Sequence, residues 1–162
     1  MWGLRRRLPL PIDIPKSPQP SAYACRCLAE AVGHELPGSY VAFVGDHDGA
    51  APATNSFIIR DNEVSVSRFI PVEEAVSLGK EINGFPQGVI PFAEDDCGNY
   101  FYVEPRSGSV WFWDHETEGA DEQVALDALG FEASLMPLDS EVKLAPGQVR
   151  HAWVNPSFKP EF

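Results

Sequence analysis

The sequence has 162 residues, 44% hydrophobic and 22% charged, with 10 Phe, 4 Tyr and 4 Trp; this excludes full disorder and leaves room for one continuous core, but not for two domains. Twelve Lys plus Arg against 24 Asp plus Glu give a formal net charge of −12, which excludes unaided nucleic-acid binding, because a phosphate polyanion requires a basic patch, and favours a basic partner. No run approaches the roughly 18 to 20 apolar residues of a transmembrane helix, and the odd set Cys25, Cys27 and Cys97 fits a reducing cytoplasm rather than a disulfide framework.

Residues 1–21 read as a Pro-rich, basic leader that lacks the periodic apolar residues needed to pack and is expected to be extended and disordered. A single domain is expected over 22–162. Ala24, Leu28, Ala31 and Val32 then share one face of a helix that Gly33 can terminate. Pro37 opens a second helix with Leu36, Tyr40, Phe43 and Val44 inward, and Gly45 followed by Asp46-His47-Asp48-Gly49 closes it. The period changes at Phe57-Ile58-Ile59 and at Val64 to Phe69, two β-favouring runs joined by the turn Arg60-Asp61-Asn62-Glu63. Pro71 begins a third helix, with Glu73 and Glu74 in its first turn and Val72, Ala75, Val76 and Ile82 facing the sheet.

The strongest strand signal is the hairpin of Asn99 to Glu104 and Ser109 to Trp113 across Pro105-Arg106-Ser107-Gly108. Alternation puts Val110, Phe112 and Asp114 on one face and Trp111, Trp113 and His115 on the other, so both faces need cover. Val124, Ala125, Ala128 and Leu129 suggest a fourth helix continuing through Phe131 and Leu135. An irregular tail from about 137 carries Trp153 and Phe158 as anchors.

Three spaced elements together resemble the SUKH superfamily: Leu36-Pro37-x-x-Tyr40-x-x-Phe43; Val89-Ile90-Pro91-Phe92-Ala93 running into Asp96-Cys97-Gly98-Asn99; and Val110-Trp111-Phe112-Trp113-Asp114-His115-Glu116. The resemblance covers about residues 28 to 136. It implies an α+β fold, a mainly antiparallel central sheet of about four to six strands with N-terminal and C-terminal helices packed around it. It also implies a non-enzymatic role, since many bacterial members are immunity proteins of contact-dependent and polymorphic toxin systems, while fungal members are linked to control of cell-wall synthesis.

The motif residues have structural explanations. In Asp95-Asp96-Cys97-Gly98-Asn99 the glycine can take positive φ while Asp96 or Asn99 bonds nearby backbone. Trp113 can pack at a strand end while Asp114, His115 and Glu116 tie down the following loop. Pro37, Tyr40, Pro91, Gly98, Asn99, Trp113 and His115 are accordingly expected to be structural. Adjacent strand residues point to opposite faces, so Asp114 is poorly placed to orient His115 for catalysis. Asp46-His47-Asp48 and Asp114-His115-Glu116 offer oxygen and imidazole ligands, but neither has diagnostic metal spacing, and no nucleophile elbow or phosphate loop occurs. No cofactor or metal is expected.

Between Glu94 and Asp127 lie ten acids, Glu94, Asp95, Asp96, Glu104, Asp114, Glu116, Glu118, Asp121, Glu122 and Asp127, against the single base Arg106. Aromatics share that stretch. Glu94, Asp95, Asp96, Tyr100, Tyr102, Trp111, Asp114, Glu116, Glu118 and Asp121 are therefore the expected contacts to a cognate protein toxin of basic, nuclease-type chemistry, because acidic fields steer cationic partners while Tyr and Trp anchor interfaces. The alternatives are a regulatory scaffold of the same fold and a metal-dependent hydrolase using Asp46, His47, Asp114 or His115. The sequence leaves the oligomeric state open.

Overall fold

A computed structural model describes residues 12–117 and 119–137. The segment 12–20 runs extended without regular structure into α1 (Ala22–Val32), where the Ser21 hydroxyl accepts the Ala24 amide at 3.1 Å and Gly33, at φ 69°, ends the helix. Ala24 and Leu28 point into the core as expected, whereas Ala31 is exposed. α2 (Gly38–His47) follows Pro37 and continues two residues past Gly45. Tyr40, Phe43 and Val44 form its buried stripe.

Six strands follow in an antiparallel meander whose spatial order equals the chain order: β1 (Ser56–Ile59), β2 (Asn62–Phe69), β3 (Ile90–Asp95), β4 (Tyr100–Val103), β5 (Val110–Trp113) and β6 (Glu122–Ala125). α3 (Val72–Glu81) joins β2 to β3, and α4 (Ala128–Ala133) follows β6. The expected α+β architecture is thus present, with six strands and four helices. β1 and β2 meet through a tight turn at Arg60-Asp61, shorter than the four-residue turn expected, and Arg60 takes φ 55° to close it.

One face of the sheet carries the main core. Phe43 of α2, Phe69 of β2, Phe92 of β3 and Phe131 of α4 meet with ring centroids 4.5–5.6 Å apart along Phe43–Phe69, Phe43–Phe92 and Phe92–Phe131. Phe131 also stacks on Phe57 at 4.8 Å and leans on Phe101 at 4.9 Å. These rings come from elements far apart in sequence, so the aromatic cluster fixes the helices onto the sheet.

One expected element needs correction, and one strand goes beyond the expectations. The fourth helix does not begin near Val124: Glu122–Ala125 pairs with β5, and the helix starts at Ala128 with Asp127 capping it through the Gly130 amide at 2.7 Å. Pairing along β5 outweighs the weak helical periodicity of this stretch, and Leu129 is left 45% exposed instead of inward. Residues 90–95 form a central strand despite Pro91. β2 pairs with β3 only from Ala93 onward, and the β3–β4 ladder bulges between Pro91 and Ala93, so the missing donor falls where the ladder is already broken.

Residues 12–20 are extended and docked on the body of the fold. The Asp13 amide donates to Thr54 Oγ1 at 2.8 Å, and the Asp13 carbonyl accepts from Ala53 and Thr54. Ser17 N donates to Asp46 O at 2.8 Å, His47 Nδ1 donates to Pro15 O at 2.9 Å, and Ile14 packs on the core. A Pro-rich segment has few donors of its own and the body of the fold satisfies them. The tail expected from 137 with its anchors Trp153 and Phe158, together with residues 1–11, lies outside the described residues. No helix among the described residues is long and apolar enough to cross a membrane.

Candidate functional site

The acidic and aromatic residues singled out above fall on two contiguous regions, the sheet face away from the helices and one end of the sheet. β4 and β5 pair Tyr100 with Trp113 and Tyr102 with Trp111, so all four rings project from the outer face while Phe101 and Phe112 project into the main core. Tyr102 and Trp111 stack with an interplanar angle of 5° at 6.4 Å. Phe85, on the segment between α3 and β3, sets its edge against Tyr100 and Tyr102, both at 5.9 Å, and against Trp113 at 5.4 Å. The cover that alternation demanded is this second, smaller core, and nothing around Gly84-Phe85-Pro86 in the sequence says which strand the ring meets.

Covering has a consequence for each aromatic. Tyr102 and Trp113 are 7% exposed, whereas Tyr100 and Trp111 are half-buried. The Tyr102 hydroxyl donates to Asp121 at 2.7 Å; burial first, and then the carboxylate that accepts this bond, push the phenol well above its ordinary range. Trp111 Nε1 donates to Ser109 Oγ at 2.9 Å, Ser109 shares a hydroxyl contact of 2.6 Å with Ser107, and Ser107 donates through amide and hydroxyl to Glu104. Desolvation works to raise the Glu104 carboxyl, but these Ser107 bonds, with the Arg106 amide and charge, outweigh it and hold it below its usual value.

Glu94 sits beside Tyr100 in register and receives Arg68 Nε at 2.6 Å, while Arg68 Nη1 reaches Glu74 at 2.9 Å. The Glu94 bond is the largest of the effects that raise the Arg68 guanidinium above its ordinary value. Glu122 is paired with Arg60 at 2.9 Å. Arg68 and Arg60, distant in sequence from most of these acids, therefore neutralise part of the patch, which local counting over 94–127 missed.

At the sheet end, the β3–β4 turn and the β5–β6 loop are joined by one side chain. Asp95 accepts from Cys97 N, Asn99 N and Asn99 Nδ2, all at 2.8 Å, so Asp95 takes the backbone-bonding role expected of Asp96 or Asn99 in the turn. With Nδ2 committed, Asn99 Oδ1 accepts from His115 Nδ1 at 2.8 Å and from the His115 amide at 3.2 Å. Gly98 at φ 87° makes the turn possible, and Asp114 accepts from the Glu116 amide at 2.9 Å. Asp114 orients its own loop and not the His115 ring, which is the arrangement expected from strand alternation.

This network leaves Asp96 and Glu116 exposed. Among the described residues Asp95, Asp96, Asp114, Glu116 and Asp121 have no Lys or Arg partner. Glu118 lies outside the described residues. Pro37 precedes α2 and packs near Gly108 of the β4–β5 turn, Tyr40 is fully buried against Phe92 at 6.1 Å, and Pro91 is buried opposite Tyr102.

His47 and Asp48 make contacts within the fold. His47 bonds Pro15 O and lies 3.6 Å from Glu132, and Asp48 accepts the Val72 amide at 2.9 Å to cap α3. No three His, Cys, Asp or Glu side chains among the described residues are grouped to hold a metal.

Comparison with known proteins agrees with the motif order. The chain is similar over 57 residues to the SPbeta prophage-derived uncharacterized protein YokK of Bacillus subtilis (strain 168), at 35% identity; the match takes in 35% of this chain and spans 30% of the length of that relative. The family model described as SMI1 / KNR4 family (SUKH-1) matches residues 25–135, which run from α1 through α4 and contain every paired strand described above. The chain therefore belongs to the SMI1 / KNR4 family (SUKH-1).

Proposed function

We propose that this chain is a non-enzymatic, cytoplasmic immunity protein that binds and neutralises a cognate basic toxin through the acidic surface around the β4–β5 hairpin. The observation that carries the reading is a segregated field. Five acids that have no Lys or Arg partner among the described residues, Asp95, Asp96, Asp114, Glu116 and Asp121, flank a sheet face that carries the half-buried Tyr100 and Trp111. Family membership supports it, because the SUKH resemblance implies immunity roles among bacterial members. A toxin that cleaves nucleic acid carries a basic substrate surface, and an acidic protein of fixed shape can occupy it without any bond being made or broken.

Charge of this kind sets on-rate and selectivity more than affinity, and it is screened beyond about 8 Å at physiological ionic strength. Co-expression with toxin domains encoded beside this chain is expected to restore growth and to yield a stable complex. Failure to protect against every neighbouring toxin counts against immunity and favours the regulatory scaffold.

A further inference from the structure

Beyond the charged surface, the same end of the sheet holds a cleft. It measures about 290 Å³ and lies between the β1–β2 turn and the β5–β6 loop, with Ile59, Val64 and Phe112 contributing its apolar lining and Asn62, Asp114 and Glu122 among its polar residues. Its origin is the curl of the sheet. The two edge strands approach closely enough for Arg60 at the β1 end to pair with Glu122 of β6 at 2.9 Å, and Phe131 of α4 fills the space over Phe57 and Phe101. Among the described residues, no helix residue lines the remaining space.

We infer that this cleft receives one apolar side chain from a basic segment of the toxin, so that cationic neighbours of that side chain meet the surrounding acids. The inference rests on the immunity reading and locates its anchor. Size selects the occupant: ligand pockets usually measure about 300–1,000 Å³, so this space is at the lower limit for a small molecule and suits a side chain. Charge selects its neighbours. Arg60, the one cationic residue lining the cleft among the described residues, is held by Glu122, whereas Asp114 lines it with no Lys or Arg partner among them and Asp95, Asp96 and Glu116 stand on the adjoining turn and loop. A buried apolar anchor surrounded by a complementary charged rim is the arrangement that concentrates binding energy in protein interfaces.

The test uses the full chain, labelled for NMR, and blocked pentapeptides as probes. Lys-Lys-Leu-Lys-Lys is expected to shift the signals of Ile59, Val64 and Phe112. Replacing its Leu by Gly is expected to weaken binding about tenfold or more, the equivalent of losing one buried aliphatic side chain. The Ala120→Trp change fills the mouth from an exposed position and is expected to abolish the shifts while leaving the circular dichroism spectrum unchanged; Thr117→Trp serves should that variant misfold. Equal binding of the Leu and Gly peptides, or binding unaffected by the filled mouth, overturns the inference. So do contacts from Trp153 or Phe158 to Phe112 in the free protein, which assign the cleft to the chain's own tail. In co-expression, a filled-cleft variant that still protects overturns the anchor and leaves immunity standing, whereas failure of the unaltered chain to protect defeats immunity and leaves the peptide titration to decide the cleft.

Discussion

Asp48 shows how one carboxylate can serve two opposed demands. Its Oδ1 caps the first amide of α3 from 24 residues away, a favourable place for negative charge at a helix N-terminus. Yet desolvation is the largest influence on it and raises its pKa against the lowering effect of the Val72 bond, with Glu73 and Glu74 adding to the rise. A carboxyl whose folded pKa exceeds its unfolded value, about 4, disfavours the fold once ionised: the cost is absent below the unfolded pKa and appears as pH rises through the folded one. Asp48→Asn keeps the acceptor and removes the charge, so thermal melts are expected to show equal or greater stability at pH 7, with the difference vanishing near pH 4. Asp48→Ala also loses the cap and is expected to cost about 1 kcal/mol in denaturant titrations. Tyr40 makes a related point. Its ring is fully buried while its hydroxyl has no hydrogen-bond partner among the described residues, so Tyr40→Phe is expected to leave the melting temperature unchanged or raised.

Among elements, the hydrogen bonds that link the β3–β4 turn to the β5–β6 loop among the described residues run through Asn99. Its Nδ2 donates to Asp95 while its Oδ1 accepts from the His115 ring and amide, so one side chain fixes both segments. Asn99→Ala is expected to cost about 1–3 kcal/mol and to speed amide exchange specifically over residues 114–117, which hydrogen-exchange mass spectrometry would resolve. α4 is a second case, because a helix of six residues has little stability of its own and depends on docking. Phe131→Ala removes a fully buried ring touching Phe57, Phe69, Phe92 and Phe101 and is expected to cost about 3–5 kcal/mol in chemical denaturation. An equal melting midpoint for that variant would contradict the packing described.

For the whole molecule, net charge and its placement govern how partners are met. Arg68 and Arg60 each neutralise acids from other strands, so the residual field is weaker on the sheet face than the composition implies and stronger at the turn and loop. Any complex with a basic toxin is expected to form faster at low salt, with the association rate falling between 50 mM and 500 mM NaCl and the dissociation rate nearly constant in surface plasmon resonance. Salt-independent association would remove the electrostatic part of the proposed function.

Short-range chemistry determined much of this molecule from sequence alone. Gly33 ends α1, Pro71 and the following acids place α3, and the alternating aromatics of 99–113 specify a hairpin with two covered faces, because turns, caps and period are properties of neighbouring residues. The tertiary structure decided the rest. Residues 122–125 become a strand because β5 offers an edge, 90–95 tolerate Pro91 because the ladder is broken there, and 12–20 are ordered because the body supplies partners at Thr54 and Asp46. The same holds for the surface: whether Tyr102 is an anchor or a core residue, and whether Glu94 is free or paired, depends on Phe85 and Arg68 arriving from elsewhere in the chain. Burial and charge pairing are relations between distant segments, and no local pattern encodes them.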